Sequence, residues 1–327
     1  MLMNDTEDTA RPPALAAGAV DHIGVCVPTF KRPELLSELL LALGRQKVSS
    51  QFDYSVHVID NDPAMSAQSV VVEFAGTAPF PVTYDVEPVQ NIALARNRAV
   101  QRAFGNFIAF IDDDEHPTDD WLGELYEACR RYDADGVLGP VKPLFGPDAP
   151  PWLERSRLCE RPSHQSGTVL VHLQTRTGNV LFKRSILNGV EVPFLPEKGR
   201  TGGEDIEFFR SMIARGSVFV WCQEAPVYER VPANRYTRRF YLDKSLRMGG
   251  LTGEMLRDAE ARKVFNSGPW PAALRSACAL FVHIPSAAGG LLWGHHVAVR
   301  HLVKCVYHFG RICGCLGIVP VRFRRDA

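Results

Sequence analysis

The chain has 327 residues with 37 Lys/Arg against 37 Asp/Glu, 46% hydrophobic and 23% charged, an ordinary globular composition with room for one large α/β domain and an appendage. No uninterrupted apolar run reaches the ~18 residues of a membrane-crossing helix, so no classical span is expected. The zero net charge hides a split: positions 270–327 hold seven Lys/Arg against Asp326 alone, a basic segment behind an acidic body, which points to an anionic partner.

Residues 1–20, with Asp5, Glu7, Asp8 and Pro12-Pro13, read as a flexible tail lacking the basic start and apolar core of a signal peptide. Positions 23–28 form a first buried strand, followed by the turn 29–32. A helix then begins with Pro33 at its first position, its apolar face made by Leu35, Leu36, Leu39, Leu40 and Leu43. A second strand spans 54–59 and ends at Asp60-Asn61-Asp62-Pro63. A second helix over 70–75 and a third strand over 82–86 follow. Residues 91–104 form a helix carrying Arg96, Asn97, Arg98 and Arg102, 107–111 a fourth strand, and 121–132 the next helix. This strand–helix alternation predicts a mostly parallel sheet with crossover helices. The Pro- and Gly-rich stretch 137–170 reads as long loops. A strand at 180–182, a helix over 206–214 entered through Gly202-Gly203, and a strand at 218–221 complete the domain. Eight cysteines include no CxxC pair, and without an export signal they read as reduced thiols in the cytoplasm.

The chemistry gathers at strand exits. Asp112-Asp113-Asp114 leaves the apolar run 107–111, putting carboxylates at the carboxyl edge of a buried strand, where open α/β sheets bind ligands. Clustered carboxylates repel unless a positive partner joins them, and a hard divalent cation, Mg2+ or Mn2+, serves where a diphosphate must leave. Pro28-Thr29 with Arg32 can hold a base and a phosphate, because a guanidinium forks onto phosphate oxygens. Asp60 or Asp62 can accept from a base N–H or a ribose hydroxyl, and Arg96 can approach the same cleft. Asp205, near a helix N-terminus, stays ionised there and can take a proton from an incoming hydroxyl. Glu204 and Glu207 are weaker candidates for that role. Singly, each has a plainer explanation: a solvated acidic turn for 112–114, a helix cap for Thr29, turn chemistry for 60–62, a surface cation for Arg96. Their placement at successive strand ends is what argues for a site.

As an ordered set, Val27-Pro28-Thr29-Phe30-Lys31-Arg32-Pro33, Val58-Ile59-Asp60-Asn61-Asp62, Asn91-Ile92-Ala93-Leu94-Ala95-Arg96-Asn97, Phe110-Ile111-Asp112-Asp113-Asp114-Glu115 and Gly203-Glu204-Asp205 resemble family 2 glycosyltransferases of the GT-A fold. The likeness is to bacterial succinoglycan-type exopolysaccharide glucosyltransferases, and it runs from about residue 22 to 235; Val137–Val141 and Arg176–Asn179 belong to the same pattern. The resemblance implies a Rossmann-like, mostly parallel sheet with flanking helices. It implies that Asp60 reads the base with Thr29 and Arg96 nearby. Asp113 would hold the ribose, Asp114 the divalent metal on the sugar diphosphate, and Asp112 would support them. Asp205 would be the general base of an inverting single displacement, with Asn179 and Glu204 on the acceptor side. The implied reaction adds one hexose, glucose from UDP-glucose in β linkage, to a lipid-linked oligosaccharide. Two departures stand out. Tyr228 occupies a position where relatives often carry a His, and the Gln/Arg-x-x-Arg-Trp segment of processive synthases is absent, which favours one sugar per encounter.

Beyond the catalytic domain, the sequence divides into a helical acceptor-side extension at 236–269 and membrane-interface helices at 270–327. Residues 273–293 are apolar but interrupted by Arg275, His283 and Pro285. Along 296–318, Arg300, Lys304 and Arg311 fall on one side of a helix, with Val299, Val303, Val306 and Phe309 elsewhere. That pattern reads as an interfacial amphipathic helix on anionic lipid, extended by Arg322, Arg324 and Arg325. A helical subdomain packed on the core is the competing reading. Nucleic acid is not expected, because no recognised binding motif accompanies the charge. The expected location is the cytoplasmic face of the inner membrane, peripheral or monotopic. Two other functions compete. A nucleotidyltransferase would need a Gly-rich, Lys-containing loop after the first strand, which 27–33 lacks; a non-catalytic membrane-binding protein would bind neither metal nor UDP.

Overall fold

The computed structural model describes residues 20–199, 202–257 and 267–318. The expected N-terminal tail, except its last residue, and Arg322, Arg324 and Arg325 lie outside them. The described chain forms two compact units: residues up to Lys142 with Arg161–Glu229, and Pro143–Glu160 with the residues from Arg230 onward.

The first unit is built on a seven-stranded sheet. Its elements are β1 (Asp21–Thr29), α1 (Pro33–Leu43), β2 (Phe52–Asp60), α2 (Gln68–Ala75), β3 (Val82–Val86), α3 (Ile92–Arg102), β4 (Phe107–Ile111), β5 (Glu115–Pro117), α4 (Trp121–Arg131) and β6 (Gly136–Leu138). After β7 (Val141–Leu144) and α5 (Pro151–Ser156), the chain returns through β8 (Asn179–Lys183), α6 (Glu204–Ala214), β9 (Phe219–Trp221) and β10 (Val227–Arg230). The strand order is β3-β2-β1-β4-β8-β6-β9, and a separate three-stranded sheet runs β5-β10-β7. The expected parallel character holds for β3-β2-β1-β4, but β8 runs antiparallel to both β4 and β6. The stretch 137–170, expected as loops, contains most of β6 and all of β7 and α5. Its segment 143–160 belongs to the second unit.

Alternation along each strand makes two cores. Ile23, Val25 and Val27 of β1 join Phe107, Ala109 and Ile111 of β4 on one face, with Leu36, Leu39 and Leu40 of α1 and Trp121 of α4. Cys26, Ile108 and Phe110 turn to the other face, against Ala95 and Ala99 of α3 and Phe208 of α6. Each Leu or Phe buried this way contributes about 1.5–3 kcal/mol. The register sets Thr29 opposite Asp60 and Cys26 opposite Phe110, so β1, β2 and β4 end together at one edge.

The second unit is helical: α5, α7 (Arg238–Met255), α8 (Pro269–Gly290) and α9 (His295–Cys315). The expected divisions at 235/236 and 269/270 both fall inside it. Helices α7 and α9 meet backbone to backbone. A Cβ on Gly253 would lie 2.2 Å from the Arg311 carbonyl oxygen, and one on Gly314 2.1 Å from that of Gly250. Leu153, Tyr241, Val299 and Val303 form the unit's small core. Among the described residues, no helix is long and apolar enough to cross a membrane.

Candidate active site at the carboxyl edge of the sheet

The ends of β1, β2 and β4 bring most of the expected polar residues into one bonded cluster. Thr29 Oγ1 donates to Asp113 Oδ2 at 2.8 Å, and Arg32 Nη1 bridges Asp113 Oδ1 at 3.0 Å and Asp114 Oδ2 at 2.9 Å. The guanidinium expected on a phosphate thus lies across two carboxylates. Pro28 is a buried strand residue opposite Ile59. Asp60 is completely buried. Its Oδ1 accepts from the Asp62 N–H at 3.0 Å; Oδ2 accepts from the Ala67 N–H at 2.8 Å and the Tyr84 hydroxyl at 3.0 Å. It therefore shapes the 61–67 turn, with no oxygen exposed to read a base. Asn61 extends the wall, donating to the Glu87 and Val89 carbonyls and accepting from the N–H of Asn91, which in turn caps α3 through the N–H groups of Ala93 and Leu94.

Arg96 projects from α3 into the same edge. Its Nη1 bonds Glu204 Oε1, its Nη2 stands 3.7 Å from Asp112 Oδ1, and its guanidinium lies 5.9 Å from the Phe194 ring centre. One buried cation thereby connects the acid run to the first turn of α6. Glu204, expected on the acceptor side, is buried and occupied by this pairing. Asp205 is the next residue, partly exposed, with Oδ1 accepting from the Ile206 N–H at 2.8 Å. Gly203 enters the helix with φ 92°, in the region that favours glycine. Asn179 also departs from its acceptor-side expectation. It is fully buried, accepting from Trp121 Nε1 at 2.8 Å and donating to the Pro140 and Ala225 carbonyls at 3.2 and 2.9 Å. It ties strand ends together because every polar atom of its amide already has a protein partner.

Four consecutive carboxyls are pushed above their ordinary values, burial being the main cause for each. Asp112 is opposed by Arg96 but repelled by Asp113 and Glu229. Asp113 is restrained by Thr29 and Arg32, whereas Asp114 is raised further by Asp112. Glu115, wholly buried beneath Asp112, stands well above the carboxylate range. Gly178 makes this crowding possible. A Cβ there would lie 2.7 Å from Glu115 Oε1 and 2.9 Å from Asp112 Oδ2. The edge holds more negative charge than its arginines neutralise, which is the chemistry of a site that takes up a cation.

Arg161, Arg176, Glu115 and Glu229 were given no role from sequence. Arg161 pairs with Glu229. Arg176 feels Arg161, Glu115, Asp205 and Glu229, and no hydrogen bond engages it among the described residues. The only signal for Arg176 was its place before Thr177-Gly178-Asn179; Arg161 sits where no periodicity guides a reading. Tyr228, the noted departure, pairs in register with His116 across β10 and β5.

Among the described residues, no three His, Cys, Asp or Glu side chains are grouped to hold a metal ion. Mg2+ characteristically uses one or two carboxylates with phosphate oxygens and waters. Asp112 and Asp114, both raised first by burial and then by neighbouring carboxylates (Asp113 and Glu229 for Asp112, Asp112 and Glu229 for Asp114), fit a divalent ion that arrives with a diphosphate.

A parallel sheet with helices on both faces, an antiparallel β8 beside β4 and clustered acids at the carboxyl edge together make the GT-A architecture. Solved structures agree on the fold. The mannosyltransferase PcManGT from Pyrobaculum calidifontis, in complex with GDP-Man and Mn2+, aligns with a TM-score of 0.56 at 18% identity, over 93% of this chain and 90% of that one. S. aureus TarS 1-349 in complex with UDP-GlcNAc aligns at 0.53 and 16%, over 90% and 92%. The glycosyl transferase family 2 model matches residues 24–188. Succinoglycan biosynthesis protein ExoM of Rhizobium meliloti (strain 1021) is 34% identical over 309 residues, 92% of this chain and 94% of that protein. The chain belongs to glycosyl transferase family 2 and is a glycosyltransferase.

Proposed function

We propose that the protein transfers one hexose with inversion from a UDP-sugar, glucose in β linkage, to a lipid-linked oligosaccharide during exopolysaccharide assembly. We place this reaction at the cytoplasmic face of the inner membrane. The observation that carries the reading is the Arg96 bridge, which brings Asp112 and the Glu204-Asp205 turn to one sheet edge. The similarity to a succinoglycan biosynthesis protein supports the pathway class, and the UDP-GlcNAc complex of TarS supports a UDP donor.

The base lies against Pro28-Thr29 and the turn shaped by Asp60, and the ribose against Asp113. The diphosphate extends past Asp112 and Asp114, which would hold the divalent ion. When bound, such an ion neutralises charge building on the departing diphosphate. Asp205 accepts the proton of the acceptor hydroxyl as its oxygen bonds the anomeric carbon and the bond to UDP breaks. UDP leaves with the bonding pair, and no sugar–enzyme bond forms. Positioned proton transfer of this kind contributes roughly 10²–10⁴ in rate.

Asp205→Asn is expected to retain UDP binding and lose transfer by about that factor; equal loss of both would make the residue structural. Radiolabelled sugar nucleotides presented with a lipid extract from the source cell test the donor, and failure of every UDP-sugar would overturn it.

A further inference from the structure

Helix α8 is inverted. Its outward face carries Trp270, Leu274 and Phe281 at 72, 66 and 82% exposure, and the turn after it carries Leu291, Leu292 and Trp293 at 60, 85 and 74%. Its inward positions are small or polar: Ala272, Ser276 and Gly290 are buried, and His283 faces His301 of α9 with their Nδ1 atoms 3.1 Å apart. A surface helix in water shows the opposite arrangement. Contiguous apolar surface of this kind marks a contact with something other than water.

We propose that the outward face of α8 and its following turn insert among lipid acyl chains, with α8 lying in the plane of one leaflet. Charge selects lipid over a second copy of the chain. Positions 267–318 contain no Asp or Glu and carry Arg275, Lys304 and Arg311 besides Arg300, whose guanidinium is taken by backbone carbonyls. Such a surface complements anionic headgroups and would repel its own copy. Trp270 and Trp293 bracket the helix, and indole rings favour the boundary between headgroups and acyl chains. A span is ruled out for α8 because it lacks the length of apolar sequence needed to cross, so the apolar face is used sideways.

This assignment narrows the membrane contact, which the sequence spread over 270–327 with its clearest amphipathic signal in 296–318, to α8 and the turn after it. Val299 and Val303 of α9 are buried in the core of the helical unit. Arg300 is not a headgroup cation: it donates to the Ser156 and Arg155 carbonyls at 2.9 and 3.2 Å. Helix α9 is the support on which α8 rests.

The proposal rests on the membrane-surface reading above, and flotation of the full-length protein separates the two. The probes are vesicles of phosphatidylcholine with phosphatidylglycerol, at low and at 0.5 M salt (about a 4 Å screening length). The native protein is expected to float under both conditions, because acyl-chain insertion survives screening. The triple variant Phe281→Ser/Leu292→Ser/Trp293→Ser is expected to partition at least about tenfold more weakly, with unchanged UDP binding and melting temperature. If the native protein fails to float, the membrane reading itself falls. If the triple variant floats as well as the native protein, or if salt alone abolishes binding, only the α8 insertion is overturned. A native dimer that the variant converts to monomer would assign the face to a second copy and likewise overturn the proposal.

Discussion

The two units break the usual rule of burial in opposite directions. The sheet unit hides charge: Asp60, Arg96, Asp113, Glu115 and Glu204 are all buried, whereas the buried polar side chains of the helical unit are the hydroxyls of Ser156 and Ser276 among the described residues. The helical unit instead exposes tryptophan, leucine and phenylalanine. Burying an ion is unfavourable unless partners are held ready for it, and exposing large apolar groups is unfavourable unless a non-aqueous neighbour covers them. Each departure therefore points outward from the fold, the first to a charged ligand and the second to a lipid surface.

The strongest way to break that contrast is to remove a partner from the buried charge. Arg96→Met strands Glu204 and strips Asp112 of its main counter-charge. We expect a loss of about 3–5 kcal/mol in chemical denaturation. Adding Glu204→Met should recover much of it, since a buried pair replaced by apolar groups is often neutral.

Acid separates the units next. His57, buried between Ser55 and Thr83, is pushed down to about 4 by burial, with His22 and Arg184 adding to the effect. Its unfolded value is 6.5, so above that pH neither state binds the proton and stability is unaffected. Below it the unfolded chain takes the proton first. Stability falls through the window from 6.5 to 4, by about 3 kcal/mol in all. Denaturation of His57→Gln across that window should show a flatter pH dependence. His283, His301 and His308 of the helical unit are also lowered, mainly by burial, but they are more accessible and should add a shallower slope in the same direction.

Substitution at the α7–α9 crossing acts on the helical unit alone. Gly253→Ala places a methyl 2.2 Å from a carbonyl oxygen. It should cost about 1–3 kcal/mol, read as faster amide exchange in α7 and α9 with the sheet unit unchanged. The smallest effect sharpens the meaning of the buried charge. Arg176→Gln should leave the melting temperature near its native value while weakening UDP about tenfold, since a guanidinium on a diphosphate forms charge-assisted hydrogen bonds. Calorimetric titration would show it; an unchanged affinity would place Arg176 outside the donor site.

Much of the sheet unit was legible because short β-rich runs alternate with amphipathic helices from β1 to α4. The antiparallel direction of β8 was not, since Val180-Leu181-Phe182 reads the same in either direction. Strands as short as β5, β7 and β10 leave no periodicity to read. At the site, the acid run and the Thr29, Arg32 and Arg96 positions could be read as a set. The burial of Asp60, Asn179 and Glu204 could not, because it depends on partners as distant as Arg96 for Glu204 and Trp121 for Asn179.

By itself the sequence determined which residues bear the chemistry and which end of each strand they occupy, because both follow from local pattern and from the direction of the chain. Only the tertiary structure decided which carboxylates are spent on the fold and which helix turns its oil outward. Those outcomes depend on what packs against each side chain, and local spacing carries no record of that. The tail shows it plainly: cations at spacings of four and seven pointed to α9, but packing buried its valines and anchored Arg300, leaving the apolar face of α8 uncovered.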